Sequence, residues 1–156
     1  MARQRTIEHE KSVEGVGLHS GERVRLTLKP ADAGAGLRFR RVDISDRDNV
    51  IPAHALCVST TQLGTNLTNA AGVSIATVEH LLAACAGMGL DNALIEVDGP
   101  EVPILNGSSL PFCQMLDAAK LVEQSALRRR LKILKPVEIV DGPKRVRLSP
   151  GEGFKV

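Results

Sequence analysis

The sequence predicts an α+β fold, a sheet with two helices packed on one face. Three observations carry this. Val24-Arg25-Leu26-Thr27-Leu28 alternates apolar and polar residues with the period of a half-buried strand. The run Ile75 to Gly87 is small or apolar almost throughout and reads as a helix buried on most of its circumference. Leu110 to Val122 sets Phe112, Met115, Leu116 and Ala119 at helical spacing. Strands come first, then a helix, a strand and a second helix, an order that gathers the helices on one side of a sheet.

Each element has its own signal. Arg5 to Val13 carries a broken alternation. It leads into Glu14-Gly15-Val16-Gly17-Leu18-His19-Ser20-Gly21, whose three glycines suggest a turn or bulge between strands. After the strand Val24 to Leu28, Lys29 to Gly36 holds a proline and two glycines and reads as a loop. Leu37 to Val42 is the next strand, its three arginines assigned to the polar face. Ile51 to Val58 has weaker strand character, and Ser59 to Asn69 is a Thr- and Gly-rich stretch of loop and short strand. The first helix starts at Thr77, a good N-cap residue, with Ser74 as a competitor, and stops at Gly87 or Gly89. Ala93 to Val97 follows as a strand, Pro100 to Ser109 as a loop, and Leu110 to Val122 as the second helix.

After Glu123 the texture changes. Arg128-Arg129-Arg130 reads as a solvated junction. A strand is expected over Lys132 to Val140, a turn over Asp141 to Lys144, a returning strand at Val146 to Leu148, and a third beginning at Phe154-Lys155-Val156. A lone hairpin is marginal in water. The expected organisation is an α+β domain over residues 1–126 and, over residues 127–156, the start of a second, truncated α+β domain.

Composition narrows the function. The chain has 156 residues, 43% hydrophobic and 24% charged, which is globular. A formal net charge of +2 from mixed signs provides no basic field for nucleic acid, and three Phe with no Trp or Tyr leave little for bases to stack on. Cys57, Cys85 and Cys113 are an odd number with no C-x-x-C pair, which fits reduced thiols in a cytoplasmic protein. Met1 to Lys11 lacks the apolar core of a signal peptide, and no apolar run approaches the roughly 20 residues of a membrane-spanning helix.

The adjacent pair Glu79-His80 stands out against this background. Burying a carboxylate and an imidazole among apolar residues is costly unless each finds a partner. A capped or hydrogen-bonded pair is the plain explanation; a metal ion with a substrate is the chemical one. Neighbouring helical residues point about 100° apart, so one side chain can hold a metal while the other faces an adjacent water.

Four segments then occur in order over about 95 residues: Gly15-Val16-Gly17-Leu18-His19-Ser20-Gly21, Thr77-Val78-Glu79-His80-Leu81-Leu82, Gly89-Leu90-Asp91-Asn92-Ala93 and Glu101-Val102-Pro103-Ile104-Leu105-Asn106-Gly107-Ser108. Together they resemble the amino-terminal half of the zinc-dependent UDP-3-O-acyl-N-acetylglucosamine deacetylases of lipid A biosynthesis. The resemblance implies two similar domains, each a sheet with two helices on one face, with the active site where the helices of both meet. It implies hydrolysis of the acetamide of a UDP-linked acylated N-acetylglucosamine, with Zn2+ as cofactor, Glu79 as general base and His80 as a zinc ligand. Leu63 and Gly64 match a segment that lines the substrate entrance.

The same resemblance places a second His and an Asp ligand in the second domain, beyond Val156. It places there too a Lys, a His acid and the passage for the acyl chain. On this reading the chain alone is inactive and the missing half is required for a complete site. The alternative is a non-catalytic domain that keeps the fold as an interaction module. His19 is expected as a hydrogen-bonded turn residue, and His9 and His54 as structural or exposed. Asn106 stands where the commoner pattern has Asp, keeping the turn and losing the charge. Gly15, Gly17 and Gly21 are expected to serve backbone conformation.

Overall fold

Alternation along the third strand organises the protein around a single apolar sheet face. The computed structural model describes residues 2–153 and residue 155. The strands, in chain order, are β1 (Arg3–Ile7), β2 (Lys11–Val16), β3 (Arg23–Pro30), β4 (Leu37–Arg41), β5 (Val50–Pro52), β6 (Val58–Thr60), β7 (Asn66–Thr68), β8 (Ser74–Ile75), β9 (Ala93–Val97), β10 (Leu121–Leu127), β11 (Val137–Asp141) and β12 (Lys144–Leu148). The helices are α1 (Glu79–Met88) and α2 (Leu110–Ala119). The fold is α+β.

The central sheet has five strands in the order β2-β3-β9-β4-β5, antiparallel throughout except for the parallel pair β4 and β9. Its register sets Leu26 opposite Val97 and Phe39 opposite both Ile95 and Ile51, so one face is continuously apolar. α1 adds Leu81, Ala84 and Cys85 to that face, and α2 adds Phe112, Leu116 and Ala119, closing one hydrophobic core. Each large side chain buried there contributes about 1.5–3 kcal/mol. The opposite face carries exposed charge, with Arg25 paired to Glu14, Lys29 to Glu96 at 2.8 Å and Arg40 to Glu96 at 3.3 Å. Solvent-exposed pairs of this kind add little to stability, so the inner face holds the sheet together.

Several elements depart from the sequence expectation. α1 is buried along one stripe only, with Ala83, Ala86 and Gly87 exposed, because it packs on the sheet from one side. It stops at Gly89, whose φ of 72° is the left-handed conformation glycine adopts without penalty. The second helix ends at Ala119 rather than Val122. Lys120 turns the chain at φ 60°, and Leu121 onward pairs with β1, Ile7 opposite Leu121 and Arg3 opposite Leu127. Gly15 lies inside β2, where a side chain would press on Pro103. Arg41 turns inward, nearly buried, and binds Asp43 and the Ser74 carbonyl; only Arg38 and Arg40 occupy the outer face of β4.

The stretch 51–58 is interrupted by a short 3-10 turn over Ala55–Cys57, capped by the His54 ring, whose Nδ1 accepts from the Leu56 amide at 3.1 Å. Ser74 belongs to β8. The late hairpin is present, but its first strand begins at Val137, and every residue of β11 and β12 is exposed. The third strand expected at Phe154 to Val156 lies outside the described residues at Phe154 and Val156, and Lys155 is in no regular element. No helix among the described residues is long and apolar enough to cross a membrane.

The segment Gly89 to Asn92 ties the chain's beginning and its later strand to α1. Arg5 donates to the Gly89 carbonyl at 3.0 Å and also to that of Met88, satisfying helix-end carbonyls with a cation. Asp91 accepts from the Arg5 amide at 2.9 Å and from Arg128 Nε at 2.7 Å. Asn92, only 1% exposed, donates to Gln4 at 2.9 Å and Gln124 at 2.7 Å and accepts from the Gly36 amide at 2.8 Å. Asn92→Ala would strand these buried partners. It is expected to cost about 1–3 kcal/mol, read as a lower urea midpoint with an unchanged transition slope.

Candidate functional site

Glu79 is the first residue of α1, and the path of the chain into that helix is unusual. Thr77 sits at φ 57°. That conformation makes a β-branched residue an outlier and costs about 1–2 kcal/mol. The expected N-cap role is therefore not the one Thr77 plays: Val78 occupies the cap position with no side-chain cap. The Thr77 hydroxyl instead donates to Glu101 Oε1 at 2.7 Å. Backbone bonds reinforce the same geometry, Ala76 N to the Pro100 carbonyl at 2.9 Å and Val102 N to the Ala76 carbonyl at 3.0 Å.

Glu101 is 2% exposed. Besides Thr77 it accepts from the Ser20 amide at 2.8 Å and from the His19 amide at 3.1 Å. Burial pushes its pKa up, but the Ser20 amide, the Thr77 hydroxyl and the His19 amide more than offset this and hold it below the ordinary 4.5. A side chain at Gly17 would run into the Glu101 carboxylate and Ser20 Oγ, so the glycine lets the turn approach the carboxylate closely.

The His19 ring reaches from this turn to the next loop, Nε2 lying 3.1 Å from the Leu63 carbonyl oxygen. Leu63 has φ 62° and an 83% exposed side chain. Two residues on, the Thr65 amide donates to Glu79 Oε2 at 3.0 Å, and the Thr65 carbonyl accepts from the Val78 amide at 3.2 Å. Between them Gly64 faces the site. A methyl there would lie 3.5 Å from Glu79 Oε1 and from Thr77 Oγ1, and 3.9 Å from His19 Nε2.

The structure thus brings Glu79, Gly64 and His19 together and adds two residues to which the sequence assigned no role of their own, Thr65 and Glu101. Thr65 acts through its backbone and left no signal. Glu101 had one: it is an acidic residue running straight into Val-Pro-Ile-Leu, an oddity of the same kind as Glu79. His80 follows Glu79 on α1 and is half-buried. The histidine-ring hydrogen bonds of the described residues belong to His19 and His54, and the His80 imidazole takes part in neither. His9 is exposed. Asn106 closes a turn, its Oδ1 accepting from the Ser108 amide at 3.1 Å and hydroxyl at 2.9 Å. Among the described residues no group of three or more His, Cys, Asp and Glu side chains gathers as a metal site.

A family model described as UDP-3-O-acyl N-acetylglycosamine deacetylase matches residues 4–156. The chain belongs to this family. Among its relatives are proteins named UDP-3-O-acyl-N-acetylglucosamine deacetylase from Phenylobacterium zucineum, 49% identical over 98% of this chain and 52% of the relative, and from Idiomarina loihiensis, 51% identical over 100% and 51%. A third, from Neisseria meningitidis, is 48% identical over 98% of this chain and 50% of the relative. The chain spans about half the length of these curated relatives.

Glu101 is expected to make the stability of the chain depend on pH. Its folded pKa lies below the ordinary value of 4.5, so its contribution is fully present above about that pH and is lost as pH falls through the depressed folded value. Glu101→Gln leaves buried donors without their acceptor and should lower stability at pH 7 by about 1–3 kcal/mol. The gap to the unaltered chain should close on acidification below pH 4.5, as followed by urea unfolding at several pH values.

Proposed function

We propose that this chain supplies the general base and one zinc ligand of a deacetylase that hydrolyses the acetamide of UDP-3-O-acyl-N-acetylglucosamine, the committed step of lipid A biosynthesis, in the cytoplasm. The activity is that of the longer protein. Residues 1–126 form its first domain and residues 127–156 open the second, from which the resemblance draws the remaining ligands; this chain alone is inactive.

The observation that carries the reading is the environment of Glu79. One carboxylate oxygen is fixed by the Thr65 amide, while the other faces the space that the missing side chain of Gly64 leaves open. A half-buried imidazole stands beside it in sequence on the same helix turn.

The donor chemistry fits zinc in part. An imidazole is a natural zinc ligand, and a catalytic site has three protein ligands, of which His80 is one. Bound zinc supplies a Lewis acid that brings the pKa of water toward about 7. Glu79 Oε1 takes the proton of the attacking water, and the Thr65 bond keeps the carboxylate from rotating away. Leu63, exposed on the rim, and Gly64 form the wall against which the substrate lies. As the C–N bond breaks, the amine nitrogen takes a proton from the His acid that the resemblance places in the second domain. Acetate departs, and Glu79 releases its own proton to solvent and returns to the carboxylate.

In the longer protein, Glu79→Gln is expected to lower kcat by about 10²–10⁴ with zinc content retained, whereas His80→Ala loses both zinc and turnover. Acetate release and metal analysis check this. Wild-type-like turnover in Glu79→Gln would show that Glu79 is not the base. Gly64→Ala places a methyl in ordinary contact with Glu79, so it should leave folding intact and raise KM.

A further inference from the structure

Glu101 lies outside the chemistry just described, yet two separate chains of contacts run from it to the same carboxylate. One passes through Thr77: Glu101 Oε1 accepts from the Thr77 hydroxyl at 2.7 Å and so holds a β-branched residue at φ 57°, two positions before Glu79. The other passes through the glycine-rich turn. Glu101 accepts from the His19 amide at 3.1 Å, the His19 ring meets the Leu63 carbonyl at 3.1 Å, and the loop continues to Thr65, whose amide binds Glu79 Oε2 at 3.0 Å. The two arms meet again where the Val78 amide binds the Thr65 carbonyl at 3.2 Å. The contacts form a closed ring with Glu101 at one side and Glu79 at the other.

We infer that Glu101 is a positioning residue for Glu79, holding both the backbone that launches the helix and the loop that clamps the carboxylate. Three features of the ring support this role over plain core packing. Its two non-glycine left-handed residues, Thr77 and Leu63, hold backbone strain that surrounding contacts must maintain. Both are gripped by it, Thr77 directly and Leu63 through His19. A buried carboxylate with three donors is a stiff anchor, since charge-assisted bonds are about twice as strong as neutral ones. An apolar side chain in its place would pack but would hold neither arm.

The inference rests on the deacetylase reading for its catalytic consequence, and the test separates the two. In the 156-residue chain, Glu101→Gln keeps one acceptor oxygen but turns an amide NH2 toward backbone N–H donors. The Thr65 amide, which donates to Glu79 Oε2 at 3.0 Å, should lose at least tenfold of its hydrogen-exchange protection, while amides of β3 and β9 keep theirs. Thr77→Val, which removes one arm and preserves shape, should give a smaller loss at the same amide; it decides the matter if Glu101→Gln fails to fold.

In the longer protein, Glu101→Gln should lower kcat about tenfold or more with KM within twofold. Thr65 protection unchanged in both variants, or a loss spread evenly over β3 and β9, overturns the positioning role. If the unaltered longer protein shows no turnover, the deacetylase reading falls, and the Thr65 amide still decides the role of Glu101.

Discussion

The structure around Glu79 depends on one buried carboxylate with three donors. Glu101 is 2% exposed and accepts from Ser20, His19 and Thr77, residues from two segments far apart in sequence. Leaving such a charge unpaired inside a protein costs several kcal/mol, so these bonds are close to obligatory. They require a glycine at position 17, where a side chain would collide with the carboxylate. They also require Thr77 to enter the left-handed region. Strain at Thr77 is thereby exchanged for satisfaction at Glu101, and the direction of α1 follows.

The sheet beneath serves this arrangement by rigidity rather than by chemistry. β3 and β9 run antiparallel through the middle, their inner residues Leu26, Leu28, Ile95 and Val97 buried to completion. α1 cannot rotate on that surface without exposing Leu81 and Cys85. Cys85 illustrates the dryness of the contact: burial pushes its thiol pKa up to about 12, so it packs as a small apolar group and not as a nucleophile. At the far end of the helix, Arg5 and Gly89 finish the last turn, and Asn92 binds the first strand to the tenth. The helix is thus held at both ends by polar contacts and along its length by apolar ones.

Much of this was legible in the sequence. The period-two pattern of Val24 to Leu28 and the helical spacing of Phe112 and Leu116 specify burial directly, and burial is what the fold repeats. Glu79 was legible because a charge among apolar residues demands a partner. The partner itself was not, because the Thr65 amide carries no side-chain signature. The N-cap role expected for Thr77 failed for a related reason: propensity describes what a threonine does locally, and a carboxylate 24 residues away claimed its hydroxyl. The helical reading ran on to Val122 because Leu121 and Val122 are apolar, but from Leu121 the chain pairs antiparallel with β1.

On the proposed reading, this chain brings a clamped base and a single metal ligand to a site that further residues complete. The direct measurement is zinc content together with acetate release from UDP-3-O-acyl-N-acetylglucosamine, made on the purified 156-residue chain and on the longer protein side by side. Weak, substoichiometric zinc and no turnover are expected for the chain, with stoichiometric zinc and turnover for the longer protein. Stoichiometric zinc with turnover in the chain by itself would overturn the proposed division of the site.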